Sequence, residues 1–182
     1  MKIILVTICL FSLTVFWYWA DYHDYFQRNY KDLTEQQKEI FKWRSDMANF
    51  ELPQIYRQYF SDKEYIFPRQ RIFKIKLFKN IPIIGVFTSK TLKENQIDKF
   101  LQFCNDTVNF DWGETTWGLH EAEYFMRLYD SEDNVAGKIY FCLADCGHLY
   151  ARPFSPSMKF GMLSTTGLNK INKMINDKNQ WE

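Results

Sequence analysis

The chain has 182 residues and a net charge of +1, from 23 basic and 22 acidic side chains. That balance excludes a global electrostatic pull toward nucleic acid or acidic partners. Aromatics are 19% of the residues, with only 7 Gly and 5 Pro, which excludes a low-complexity or largely disordered chain.

The first element is the uncharged run Ile3–Ala20, which ends in Trp17, Tyr18 and Trp19. As a helix it reaches roughly 27 Å at 1.5 Å per residue, close to the apolar thickness of a bilayer. Its closing aromatics suit a membrane–water interface. A cleaved secretory signal is shorter and has small residues before the cut, whereas Tyr18 and Trp19 precede Ala20 here. The run is therefore read as an uncleaved signal-anchor helix over residues 1–20, followed by a juxtamembrane stalk over 21–33. Cys9 follows Ile8 in mid-run, so it is no lipoprotein cysteine. Lys2 precedes the run and Asp21 and Asp24 follow it. The basic end stays cytoplasmic, which places the rest of the chain on the outer or periplasmic side. If the chain is cut after Ala20, the same domain is exported and soluble.

Residues 34–182 are one domain's worth of chain. Thr34 to Gln37 has the capping-box form and opens a helix with Ile40, Trp43, Met47 and Phe50 on one face, ended by Pro53. Arg71 to Phe78 alternates, with Phe73, Ile75 and Leu77 opposing Lys74 and Lys76. Ile83 to Phe87 is a short apolar run after Pro82, read as a buried strand. Thr91 to Glu94 is a second capping box, opening a helix with the stripe Ile97, Phe100, Leu101 and Cys104. Glu123–Tyr129 and Val135–Leu143 flank the polar turn Asp130 to Asn134, as a hairpin does. A last helix lies near Leu168–Asn176. The expected fold class is α+β: an N-terminal transmembrane helix, then a compact domain with a largely antiparallel sheet and about three helices.

Arg69, Arg71, Lys74, Lys76 and Lys79 form a basic run uninterrupted by acid, while Asp111–Asn134 holds seven acids and one Arg. The run suits anionic headgroups beside a membrane, or defends an edge strand that faces the acidic segment. An exported domain excludes nucleic acid as its partner. Asn105-Asp106-Thr107 fits a glycosylation sequon. Trp112 and Trp117 bracket Gly113–Thr116; exposed, they anchor a sugar or a protein partner, and buried, they close the core. Glu114 with Glu121 or Glu123 could pair, although surface carboxylates are commoner. His120-Glu121 begins like a zincin helix, but Tyr124 stands where the second His belongs. Arg152 to Pro156 is an extended loop.

Cys142, Asp145, Cys146 and His148 are the densest cluster of reactive groups. Ala144 to Gly147 reads as a turn that brings the two sulfurs together. Three outcomes follow: a disulfide, which export favours, between Cys142 and Cys146 or with Cys104; a zinc site from Cys142, Cys146, His148 and Cys104; or a nucleophilic Cys146 with His148 as base. No cofactor is expected beyond that zinc alternative. Binding is assigned to Trp112, Trp117, Arg69, Arg71, Lys74 and Lys76. The expected function is a membrane-anchored, extracytoplasmic, non-enzymatic binding or inhibitory domain that engages a protein partner or ligand near the membrane. The alternative is a small anchored enzyme or metal-binding protein using Cys142, Cys146 and His148.

Overall fold

The computed structural model describes residues 2–22, 30–45, 64–81, 84–112, 122–144 and 146–182. Helix α1 covers Lys2–Tyr22. Its described side chains begin at Val6. Val6, Ile8, Leu10, Phe11, Leu13, Phe16 and Trp17 are each more than half exposed, so the apolar surface wraps the helix. Among the described residues no helix is long and apolar enough to cross a membrane. The fold therefore lends the expected span no support of its own.

The first capping box forms. The Thr34 N–H donates to Gln37 Oε1 at 2.9 Å, and the Gln37 N–H donates to Thr34 Oγ1 at 3.2 Å. Helix α2 follows over Glu35–Ser45. Phe41 is its fully buried residue, with Ile40 partly buried beside it. The Trp43 side chain, Met47, Phe50 and Pro53 lie outside the described residues.

The domain is α+β, as expected. Strands β1 (Lys74–Lys79), β2 (Lys90–Thr91), β3 (Phe110–Trp112), β4 (Tyr124–Tyr129), β5 (Val135–Cys142), β6 (His148–Arg152) and β7 (Gly161–Leu163) form one sheet. Its order is β2-β1-β4-β5-β6-β7-β3, and every neighbouring pair is antiparallel. The β4–β5 hairpin closes at Asp130, whose carboxylate accepts the Glu132 and Asn134 N–H groups at 2.9 Å each. Helices α3 (Glu94–Asn105), α4 (Pro156–Phe160) and α5 (Thr165–Asn176) complete the described α-helices. With α1 and α2 the described residues hold five helices. The additional one, α4, begins at Pro156, a residue that starts helices well because its missing N–H has no partner to lose there.

One sheet face carries the main core. Ile75, Leu77, Met126, Leu128, Ile139, Phe141 and Leu149 pack there against Ile97, Phe100, Cys104 and Ile171 from α3 and α5. Burying a side chain such as Phe100 contributes about 2–3 kcal/mol. The opposite face holds a smaller cluster of Phe78, Ala122, Phe125 and Tyr140.

Three expectations need correction. Phe73 is 46% exposed and precedes β1, so the alternation begins only at Lys74. Ile84–Thr88 is a 3-10 turn, not a buried strand, with Gly85 interrupting the extended pattern; Pro82 and Ile83 lie outside the described residues. Thr91 to Glu94 forms no capping box. Thr91 pairs with Lys76 in the sheet and exchanges backbone hydrogen bonds with Glu182, so the N-cap of α3 is Lys93, without a side-chain cap.

Candidate functional site

Register, rather than sequence proximity, gathers the positive charge. Lys76 lies opposite Arg127, Arg127 opposite Lys138, and Lys138 opposite Arg152, a row of cations across four adjacent strands. The next row on the same face is aromatic: Phe78, Phe125, Tyr140 and Tyr150, again directly opposite one another. Like charges facing across strands repel. The aromatic row offsets this repulsion with ring faces, which attract cations. Arg127 sits 5.3 Å from the Phe78 centroid and 5.5 Å from that of Phe125. Lys138 Nζ sits 5.2 Å from Phe125 and 4.8 Å from Tyr140. The middle of the row is closed, with Lys138 only 1% exposed, while Arg152 at its end is open.

That open end borders a cleft of about 230 Å³ lined by Tyr30, Asp32, Lys38, Tyr150, Arg152, Phe154 and Lys159, among others. Three cations face one carboxylate, and that carboxylate is occupied. Asp32 Oδ1 accepts the Leu33 N–H at 2.8 Å and the Phe154 N–H at 2.9 Å, and Oδ2 pairs with Lys38 Nζ at 2.9 Å. Burial alone would lower the Lys38 pKa. Hydrogen bonds to Asp32 and Glu35, and the charges of both, outweigh it and raise the value, so Lys38 stays cationic. The Arg152 guanidinium lies 5.7 Å from the Tyr150 ring, and its Nε donates to the Tyr150 hydroxyl at 3.4 Å. The loop after β6 forms one wall.

Arg69 holds that wall instead of presenting its charge to a ligand. Its Nη2 donates to the Phe154 carbonyl at 2.7 Å and its Nε to the Glu64 carbonyl at 2.7 Å. Arg71 is exposed and lies over Phe73, 4.8 Å from the ring centroid. Lys74 pairs with Asp133 and lies 4.9 Å from the Tyr129 ring. Lys76 begins the cation row. The basic strand therefore does adjoin the acid-rich segment. It is not an edge, however, because the two-residue β2 covers its outer side. Trp112 pairs its backbone with Gly161 in β3, and its side chain lies outside the described residues. Trp117, Glu114, His120 and Glu121 also lie outside them. The binding assignment to the two tryptophans thus stays an expectation.

Cys142 and Cys146 form a disulfide, with their Cα atoms 5.6 Å apart. The turn works because Gly147 adopts φ +58°, a left-handed conformation that glycine takes without penalty. Glu123 braces the loop: its carboxylate accepts the Leu143 N–H at 2.8 Å and the Ala144 N–H at 3.0 Å. Cys146 lies in this turn rather than in a strand, and His148 stands opposite Cys142 in the sheet. With the sulfurs bonded to each other, neither is a thiolate that could attack or bind zinc. Among the described residues no group of three or more His, Cys, Asp or Glu is placed to hold a metal. Cys104 is a free, fully buried core residue, and burial pushes its thiol well above the usual value. The sequon at Asn105 is closed as well, since that side chain is 3% exposed. Reducing Cys142–Cys146, or replacing both with serine, is expected to lower the unfolding free energy by about 2 kcal/mol, the loop-entropy value for so short a ring. Urea midpoints with and without reductant measure it.

Sequence reasoning missed Arg127, Lys138 and Arg152 because they are scattered through stretches that read as acidic or neutral. The signal that could have found them is the alternation in the hairpin, which puts Arg127 and Lys138 on the face opposite Leu128 and Ile139. Compared with protein-family models, with curated proteins and with solved structures, the chain matches none.

Proposed function

We propose that this chain is a non-enzymatic binding domain that engages a carboxylate-rich segment of a protein partner through the cleft between Lys38, Arg152 and Lys159. It is tethered at a membrane through Ile3–Ala20, with the domain on the outer side. One observation carries the binding reading: the cleft gathers three cations around a single carboxylate already occupied by its own neighbours. Lys38, Arg152 and Lys159 converge on one cleft, the arrangement that steers and orients an anionic partner. The tether is supported by the uncharged run itself. The outward placement is supported by the single Lys2 before the run and by the Cys142–Cys146 disulfide, which suits an oxidising compartment.

The test places a photo-crosslinking amino acid at Lys31, an exposed position beside the cleft, in the full-length chain in its native cell. A discrete crosslinked protein is expected. Arg152→Glu combined with Lys159→Glu should reduce its yield at least tenfold, about 1.4 kcal/mol of binding. A yield that survives both reversals, or no crosslinked product at all, rejects the cleft as the binding surface. A topology reporter fused after Glu182 checks the outward placement separately.

A further inference from the structure

The turn that replaces the expected buried strand leaves a projecting apolar tip. Ile81 is 44% exposed, Ile84 60% and Phe87 86%, while their turn is fixed rigidly at its base. The Gly85 N–H donates to the Ile81 carbonyl at 2.8 Å, and Thr88 Oγ1 donates to the Gly85 carbonyl at 2.8 Å. Gly85 rests against the end of β1 so closely that a Cβ there would lie 2.1 Å from the Lys79 carbonyl oxygen. Asn80, at the root of the turn, donates its backbone N–H to the Glu123 carbonyl at 2.8 Å and its side-chain amide to the Ala122 carbonyl at 2.7 Å. A rigid backbone that presents a nearly bare Phe and Ile to water has no folding reason to do so, and such exposed groups mark contact surfaces.

Along the chain the charge around the turn is of one sign, and Glu123, whose carbonyl meets Asn80, has its carboxylate taken up by the Leu143 and Ala144 N–H groups. Lys79 and Lys90, both exposed, flank the turn, and no acid occurs between Glu64 and Glu94. A protein interface has a rim of mixed polarity. A projecting apolar tip flanked by two exposed cations instead matches the layered chemistry of a membrane surface, with anionic headgroups above and acyl chains below. We infer that Ile81, Ile84 and Phe87 insert into the interface of an anionic bilayer while Lys79 and Lys90 contact its headgroups. The tip is a second membrane contact on the globular domain, involving no residue of α1 or of the cleft.

The experiment uses the full chain carrying Phe87→Trp, with phosphatidylcholine vesicles prepared with or without phosphatidylglycerol. At so exposed a position the replacement leaves the core untouched. The emission of the added Trp is obtained as the difference from the parent chain, which has six native Trp. In vesicles with phosphatidylglycerol and brominated acyl chains, this emission should shift to the blue and be quenched at least twofold. It should be protected from aqueous iodide. Lys79→Glu with Lys90→Glu should abolish the quenching, as should omission of phosphatidylglycerol. Emission that ignores bromine and stays open to iodide overturns the inference, and so does equal quenching in neutral vesicles. Alkaline carbonate extraction of the same vesicles reports on the α1 tether independently. A chain that resists extraction while residue 87 remains aqueous retains the tether and loses this proposal. A chain that is extracted, yet was quenched beforehand, does the reverse.

Discussion

Replacing Asn105 with alanine is expected to lower the unfolding free energy by about 3 kcal/mol and the melting temperature by roughly 10 °C. The side chain sits at the end of α3, 3% exposed, and spans to a segment far away in sequence. Its Nδ2 donates to the Phe67 carbonyl at 2.6 Å and to the Leu101 carbonyl at 2.8 Å, and its Oδ1 accepts the Phe67 N–H at 2.9 Å. The amide thus binds the Phe67 residue at both its backbone donor and its acceptor, as a neighbouring strand would. Phe67 is itself 1% exposed, so water cannot replace the lost partners. Each buried backbone group left without a partner costs about 1–3 kcal/mol. Asn105→Asp is expected to be damaging too, because it retains the acceptor, removes both donors and buries a charge. Chemical denaturation followed by circular dichroism measures all three chains. An Asn105→Ala protein within about 0.5 kcal/mol of the parent, the scatter of ordinary surface changes, would show that this amide does not secure Phe67.

Gly167→Ala should cost about 3 kcal/mol or more, although it places a better helix former in a helix. Intrinsic propensity alone favours alanine by about 1 kcal/mol. Packing reverses that sign. A Cβ on Gly167 would stand 2.1 Å from the Asn109 carbonyl oxygen and 3.0 Å from its carbonyl carbon, and both are backbone atoms that cannot swing aside. The first turn of α5 is held against this peptide on several counts. Ser164 Oγ accepts the Gly167 N–H at 3.0 Å and donates to the Val108 carbonyl at 2.9 Å, and the Ser164 N–H donates to the Asn109 carbonyl at 3.0 Å. Asn109 is fully buried, with its Nδ2 donating to the Phe103 carbonyl at 2.9 Å. Relief requires α5 to lift from the core, taking Ile171 and Ile175 with it. Overpacking of this kind typically costs 1–3 kcal/mol, and a rigid backbone obstacle puts it at the upper end. A stabilised Gly167→Ala variant in the same denaturation series would contradict the close approach.

What could be read from the residues depended on how local the deciding interactions were. The hairpin was legible because its alternation and its Asp130–Asn134 turn are written within twenty residues. The same holds for the Cys142–Cys146 pair, whose turn needs only Gly147. The two capping boxes show the limit. Thr34-Glu35-Gln36-Gln37 and Thr91-Leu92-Lys93-Glu94 have the same form, but only the first is left to its own neighbourhood. The second is claimed by β1 on one side and by the C-terminal residue on the other, with Leu92 bridged to Trp181. Ile83 to Phe87 failed for a different reason. An apolar run is read as buried because burial usually wins, and nothing local says that its tips project. The three-residue strands β3 and β7 carry too little pattern to be recognised, yet they set the sheet order. Of the site, Lys76 could be found in advance, whereas the cleft depends on Asp32, Lys38 and Arg152, which meet only through long-range contacts.

Asp32 gives the cleft a mechanical character. Its carboxylate joins the residues just ahead of α2 to the loop after β6 through the Phe154 N–H, and to α2 itself through the Lys38 ammonium. A pull on the chain at residue 30 loads the hydrogen bond from Phe154 across the mouth of the cleft. Tension would peel one wall from the other, while a bound anion bridging Lys38 and Arg152 would act as a rivet. For the binding domain proposed above, ligand occupancy and tensile load would be thermodynamically opposed.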